Sequence, residues 1–204
     1  IFLGGQYNQV TALNIRTGNK KWRVGWGVNK DLIFTNISVE ENTLYISSSQ
    51  GNLFALRESS GWLNWWMERN DAPPGIPGDD GMEMWRVSID GAWRGPPTIT
   101  ENLVIVSHET GQVYAGSRAS GSEVWRFQTE SSISKPVTCA GSEVYVVDDE
   151  GHIYSLESET GAVNWNYSIE GQPSTSPIVA GETIYIADEN AQVHAITQTV
   201  ENSD

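Results

Sequence analysis

Gln112 to Trp125 reads QVYAGSRASGSEVW, and His152 to Trp165 reads HIYSLESETGAVNW. The two stretches align without a gap, and Gln9 to Trp22 (QVTALNIRTGNKKW) keeps the same internal spacing. Further copies begin at Asn52 (NLFALRESSG) and at Gln192 (QVHAITQTV). A period of this kind has to be settled before any element is assigned, because it decides the architecture. Gly18, Gly61, Gly121 and Gly161 open one recurring turn, and a tryptophan follows four residues later at Trp22, Trp125 and Trp165. Ten positions before each of those glycines stands another turn residue, at Asn8, Gly51, Gly111 and Gly151, with Ala191 in register for the last copy. From Gly111 to Gly151 to Ala191 the step is 40 residues each time.

Within one period the strands can be read directly. Thr138 to Ala140 is followed by Glu143 to Val147, a turn, His152 to Glu157, a second turn, and Val163 to Ile169. Alternation along these runs puts apolar groups on both faces, as a sheet packed between two neighbouring sheets requires. Four short strands joined by glycine turns make a propeller blade. The prediction is an all-β fold, a β-propeller of four-stranded antiparallel blades, present as an incomplete ring of about four to five blades in a single domain over residues 1–204. The recurring tryptophans Trp22, Trp85, Trp125 and Trp165 are expected to dock each blade on the next, over turns opened by Gly18, Gly61, Gly121 and Gly161.

Composition agrees with that reading and narrows the partners. Nine Trp, seven Tyr and 20 Gly suit pleated strands and tight turns. The 26 acidic residues against 12 basic ones leave a net charge of -14, which repels a phosphate backbone and argues against nucleic acid. No stretch approaches the roughly 18 apolar residues of a membrane-spanning helix. Cys139 is the one cysteine, so the chain holds no internal disulfide and no cysteine-based metal cluster, and its setting is that of a small strand residue.

The pattern apolar-Tyr-Ala-Leu, a short polar stretch, Thr-Gly, three residues and Trp resembles the PQQ-like (quinoprotein-type) repeat. It is carried by Ala12, Leu13, Thr17, Gly18 and Trp22, and by Tyr154, Leu156, Thr160, Gly161 and Trp165. Ser176-Pro177, Lys135-Pro136 and Pro96-Pro97 stand where the repeat carries its innermost strand. The resemblance implies a propeller of seven or eight blades with tryptophan docking. It also implies placement outside the cytoplasm, in a family that spans quinoprotein dehydrogenases and BamB-like scaffolds for outer-membrane assembly. Fold alone does not choose among these.

The period breaks once. Gly61 to Gly121 is 60 residues, so twenty have been added. Trp65 and Trp85 both satisfy the spacing of the docking tryptophan, and the insertion over residues 66–84 of the second blade lies between them. Pro73, Pro74 and Pro77 make its tip an irregular loop. Long insertions on rigid scaffolds tend to carry function. Trp62, Trp65, Trp66, Met67 and Met82, with Asp79 and Asp80, are the candidate binding residues for a protein or glycan partner. The ends matter too: the first copy lacks an innermost strand and the last lacks its tryptophan strand. The expectation is an open arc, cut from a longer protein or completed by a second chain, whose end blades self-associate.

Chemistry is sparse. His108, His152 and His194 fall on different blades without ligand spacing, and the acidic turns at Asp148-Asp149-Glu150 and Asp188-Glu189 lack a complete calcium-loop pattern. A quinoprotein dehydrogenase needs a full ring, a calcium ion on carboxylate and amide ligands, and an Asp base beside the quinone, as the family resemblance implies. The reading is therefore a non-catalytic binding module with no metal, catalytic residue or cofactor. The alternatives are a fragment of such a dehydrogenase or the sensor domain of a larger receptor.

Overall fold

The structure is a computed structural model, and it describes residues 2–5, 9–25, 34–57 and 83–197. Among the described residues eighteen strands form five antiparallel sheets in chain order. The first has three strands, β1 (Phe2–Gly5), β2 (Gln9–Leu13) and β3 (Lys20–Gly25). The second has four, β4 (Phe34–Glu40), β5 (Thr43–Ser48), β6 (Asn52–Arg57) and β7 (Glu83–Ser88). So does the third, with β8 (Trp93–Ile99), β9 (Leu103–His108), β10 (Gln112–Ser117) and β11 (Glu123–Gln128). The fourth repeats it with β12 (Thr138–Ala140), β13 (Glu143–Val147), β14 (His152–Glu157) and β15 (Val163–Ser168). The fifth has three among the described residues, β16 (Ile178–Ala180), β17 (Thr183–Ala187) and β18 (Val193–Thr197).

The alternation read from the sequence becomes the core. On β9, Ile105 packs with Val144, Val146, Tyr154 and Leu156 of the fourth sheet. Its neighbours Val104 and Val106 pack the other way, with Tyr45, Leu53 and Trp85 of the second. Tyr145, Val147 and Ile153 in turn meet Ile184 and Ile186 of the fifth sheet. Every inner sheet is thus buried on both faces, and the cores lie between blades rather than within one sandwich.

The inner edge is tied by hydroxyl groups. Ser38 Oγ donates to the Pro97 carbonyl at 2.5 Å, Thr98 Oγ1 to Val137 at 3.1 Å and Thr138 Oγ1 to Pro177 at 2.6 Å. Donors at 98 and 138 and acceptors at 97, 137 and 177 repeat at the 40-residue period. A second rung runs from Ser47 to Gly95 and from Ser107 to Lys135. Each rung satisfies a main-chain carbonyl at a part-buried position.

The turn between the second and third strands of a blade is anchored by one residue. Asp148 Oδ1 accepts the Glu150 and His152 amides, and Asp188 Oδ1 accepts those of Asn190 and Gln192. In the second blade, Ser48 Oγ accepts the amides of Gln50 and Asn52. The acidic turns are therefore Asx turns, with their carboxylates engaged by their own backbone.

Candidate functional site

Two of the recurring tryptophans, Trp85 and Trp125, stand at outer seams. Trp85 on β7 is buried against the third blade and donates from Nε1 to the Arg118 carbonyl at 3.0 Å. Trp125 repeats this toward the fourth blade, to Ser158 at 2.8 Å. Each ring covers the turn glycine of the next blade: a Cβ on Gly121 would meet the Trp85 ring at 2.5 Å, and one on Gly161 the Trp125 ring at 2.7 Å. Both glycines also have φ of +71°, so glycine serves these turns in conformation and in space. Trp165 is half-buried with Nε1 enclosed. The carbonyl in register with those of Arg118 and Ser158 belongs to Gln198, beyond the described residues. Gly18 shares the +71° conformation but has open space beside it. Trp22 lies on β3 opposite Ala12. Of the two tryptophans that fit the spacing, Trp85 stands at a seam, and Trp65 lies outside the described residues.

Gly61 and the insertion residues Trp62, Trp65, Trp66, Met67, Asp79, Asp80 and Met82 lie outside the described residues. The stems of that segment are described. Glu83 and Met84, which the spacing assigns to the insertion, already belong to β7. The segment leaves from Arg57 and returns at Glu83, and both Arg57 and Met84 line a groove of about 580 Å³ between the second and third blades.

Arg118 forms the floor of the groove. Its guanidinium donates from Nε to the Tyr45 hydroxyl at 3.1 Å and from Nη1 to the Glu101 carbonyl at 3.2 Å, and Nη2 lies 3.1 Å from the Glu41 carboxylate. The Tyr45 bond holds the guanidinium even more firmly charged than usual. Glu41 is exposed and sits in the left-handed region at φ +52°. In the fourth and fifth blades glycines occupy this register, Gly141 and Gly181, both at φ +62°. A left-handed non-glycine costs on the order of 1 kcal/mol, while a solvent-facing ion pair returns at most about that much. Stability therefore does not account for a glutamate here. What it achieves is a carboxylate held across a seam from an arginine, at the lip of a groove.

The titratable groups elsewhere serve their own blades. His152 Nδ1 lies 2.9 Å from Asp148 Oδ2, which raises the imidazole above its usual value. His194 Nε2 lies 2.9 Å from Asp188 Oδ2; that bond, then the Gln192 and Asn190 amides, hold the carboxyl below its usual range. Burial pushes His108 down and pushes the Cys139 thiol up to about 12, which leaves it unreactive at neutral pH. Among the described residues no three His, Cys, Asp or Glu side chains come together as a metal site.

The sequence profile of the family described as outer membrane protein assembly factor BamB matches residues 6–73 and 75–199. The chain belongs to that family. Its architecture is shared with BamB from Moraxella catarrhalis, at 20% identity and a TM-score of 0.70 over 96% of this chain and 54% of that one. The computationally designed Ika8 protein superposes at 12% identity and a TM-score of 0.75, over 97% of this chain and 55% of the other. A chain of the Mitotic Checkpoint Complex does so at 10% identity and 0.74, over 97% and 57%. At these identities the likeness is one of fold. The chain spans about half the length of each of these three structures. No curated protein sequence matches it.

Proposed function

We propose that this chain is a non-catalytic propeller scaffold that acts outside the cytoplasm, in assembly of the cell envelope, and holds a protein partner at the groove between its second and third blades. The observation that carries the site is Glu41, a left-handed glutamate paired with Arg118 where two other blades have glycine. The insertion stems open on the same groove, so Trp62, Trp65, Trp66, Met67, Asp79, Asp80 and Met82 are proposed to extend its binding surface. Envelope placement draws its support from the family and from the BamB fold. A protein suits the groove better than a sugar does. Sugar stacking needs an exposed aromatic face, and Tyr45, the aromatic among the described lining residues, is buried. A non-catalytic role is supported by the way Asp148, Asp188, His152 and His194 are engaged in their own turns.

A photo-crosslinking side chain at Asn42, on the groove lip, is expected to give one discrete protein adduct in the native host. The same group at Tyr167, exposed on β15, is expected to give none. Arg118→Ala, or removal of residues 69–81 with folding intact, should abolish the adduct. No adduct at Asn42, or equal labelling from both positions, overturns the site. Dye reduction above the free-quinone rate, with pyrroloquinoline quinone and calcium added, would overturn the non-catalytic reading.

A further inference from the structure

Arg118 is held in place by more than its ion pair. Its amide donates to the Asn102 carbonyl at 2.8 Å, and its own carbonyl takes the Trp85 indole at 3.0 Å. The guanidinium is fixed by the buried Tyr45 hydroxyl and by the Glu101 carbonyl. Both acceptors are neutral, so neither balances its charge. The counter-ion is Glu41, 3.1 Å from Nη2, and the pair is lopsided: the arginine side chain is 18% exposed and the glutamate side chain 78%.

The next seam shows what the fold requires by itself. Between the third and fourth blades Ile105 stands in the register of Tyr45, and Ser158 in that of Arg118. The Ser158 amide repeats the main-chain tie, to Ser142 at 2.8 Å, and its carbonyl repeats the indole bond. That seam closes without a guanidinium, so the cation between the second and third blades is an addition to it. A carboxylate as exposed as that of Glu41 contributes at most about 1 kcal/mol to the pair, and two neutral acceptors orient the arginine without it. Glu41 therefore occupies the seat without building it. A carboxylate that arrives with a partner, and shuts water out of the groove as it docks, binds the same guanidinium more strongly.

We propose that Glu41 is a placeholder: the protein partner inserts an Asp or Glu side chain that takes over Arg118 and sends Glu41 out to solvent. This rests on the groove being the binding site, as proposed above. Arg57, exposed on the second-blade wall and without an ion pair among the described residues, supplies a second cation to the incoming carboxylate. The net charge of -14 repels a strongly acidic chain, so the inserted residue belongs to a segment that is otherwise neutral or basic. Until that segment arrives, Glu41 screens Arg118 from small anions.

The probe is the peptide acetyl-Gly-Lys-Glu-Lys-Gly-amide, titrated into the isotope-labelled 204-residue chain while the Arg118 Nε–H signal is followed by NMR. A saturable shift is expected, and none from the same peptide with glutamine in place of glutamate. Glu41→Gly installs the residue found at Gly141 and Gly181, whose φ of +62° is close to the +52° of Glu41, so the fold is kept. It should tighten peptide binding about fivefold, the worth of one exposed ion pair, and raise the yield of the Asn42 adduct. A glutamate that merely braced the arginine would give the opposite sign. Binding weakened or unchanged by Glu41→Gly, equal shifts from the two peptides, or no shift at about 10 mM peptide overturns the proposal. If the Asn42 adduct forms but Glu41→Gly does not raise it, the groove stands and the exchange falls. If the peptide result holds and no adduct forms, the exchange stands as chemistry of Arg118 and the scaffold reading falls.

Discussion

The fourth and fifth sheets carry matched residues 40 positions apart and differ in what lies beside them. Ile153 is fully buried and Val193, its counterpart, is 69% exposed. Tyr145 is enclosed while Tyr185 is open on one side. The chemistry of the two rows is nearly constant, so the change in burial comes from the neighbour. A blade of this kind completes its core only on contact, and its stability is a sum of internal and seam contributions.

Mutations on the two sides of that difference test it, beginning with the largest effect. Trp125→Ala removes the wedge between the third and fourth blades and should cost about 3–5 kcal/mol in urea unfolding. Ile153→Ala should cost about 2–4 kcal/mol, and Val193→Ala no more than about 0.5 kcal/mol. Equal losses at 153 and 193 would break the comparison, since they would mean that the fifth sheet is covered in solution. Gly161→Ala meets both a left-handed backbone and the Trp125 ring, and should cost upwards of about 2 kcal/mol. Gly18→Ala has the same φ and open space, and should cost only the backbone strain of about 1 kcal/mol.

The smallest effect is in pH. His152 and His108 should titrate on opposite sides of 6.5 when their Cε1 protons are followed by NMR, His152 above it and His108 below it. The stability that His152 contributes is complete below 6.5 and fades as pH rises through its raised folded value. His108 works in the other sense. Its buried ring stays neutral while the unfolded ring takes up a proton, so stability declines as pH falls below 6.5. Asp148→Asn should bring His152 back toward 6.5 and leave His108 where it is.

Much of the fold was legible because the repeat announces itself through residues with local duties. Glycine at 111, 121, 151 and 161 marks left-handed turns, and the strand limits at Thr138–Ala140, Glu143–Val147 and His152–Glu157 follow from the alternation between them. Spacing alone does not show that Trp85 docks, because that needs the neighbouring blade, whose Arg118 carbonyl receives the Trp85 indole. The groove was missed for the same reason: Glu41 and Arg118 lie on different blades, 77 residues apart. One clue was present in the self-alignment. Glu41 and Glu101 occupy the register of Gly141 and Gly181, and a turn position that gives up its glycine signals a local demand that the other copies do not share.

Across the seams, the repeated polar ties share one form. A side chain gives the proton, through Ser38, Thr98, Thr138, Trp85 or Trp125, and a peptide carbonyl receives it. Every residue type presents that carbonyl, so half of the joint is independent of what the adjoining copy encodes. Gene segments for such units can be duplicated, lost or traded between relatives as long as the turn glycine beneath the docking indole is kept next door. Lineages can therefore vary the number of copies faster than they vary the joint that links them.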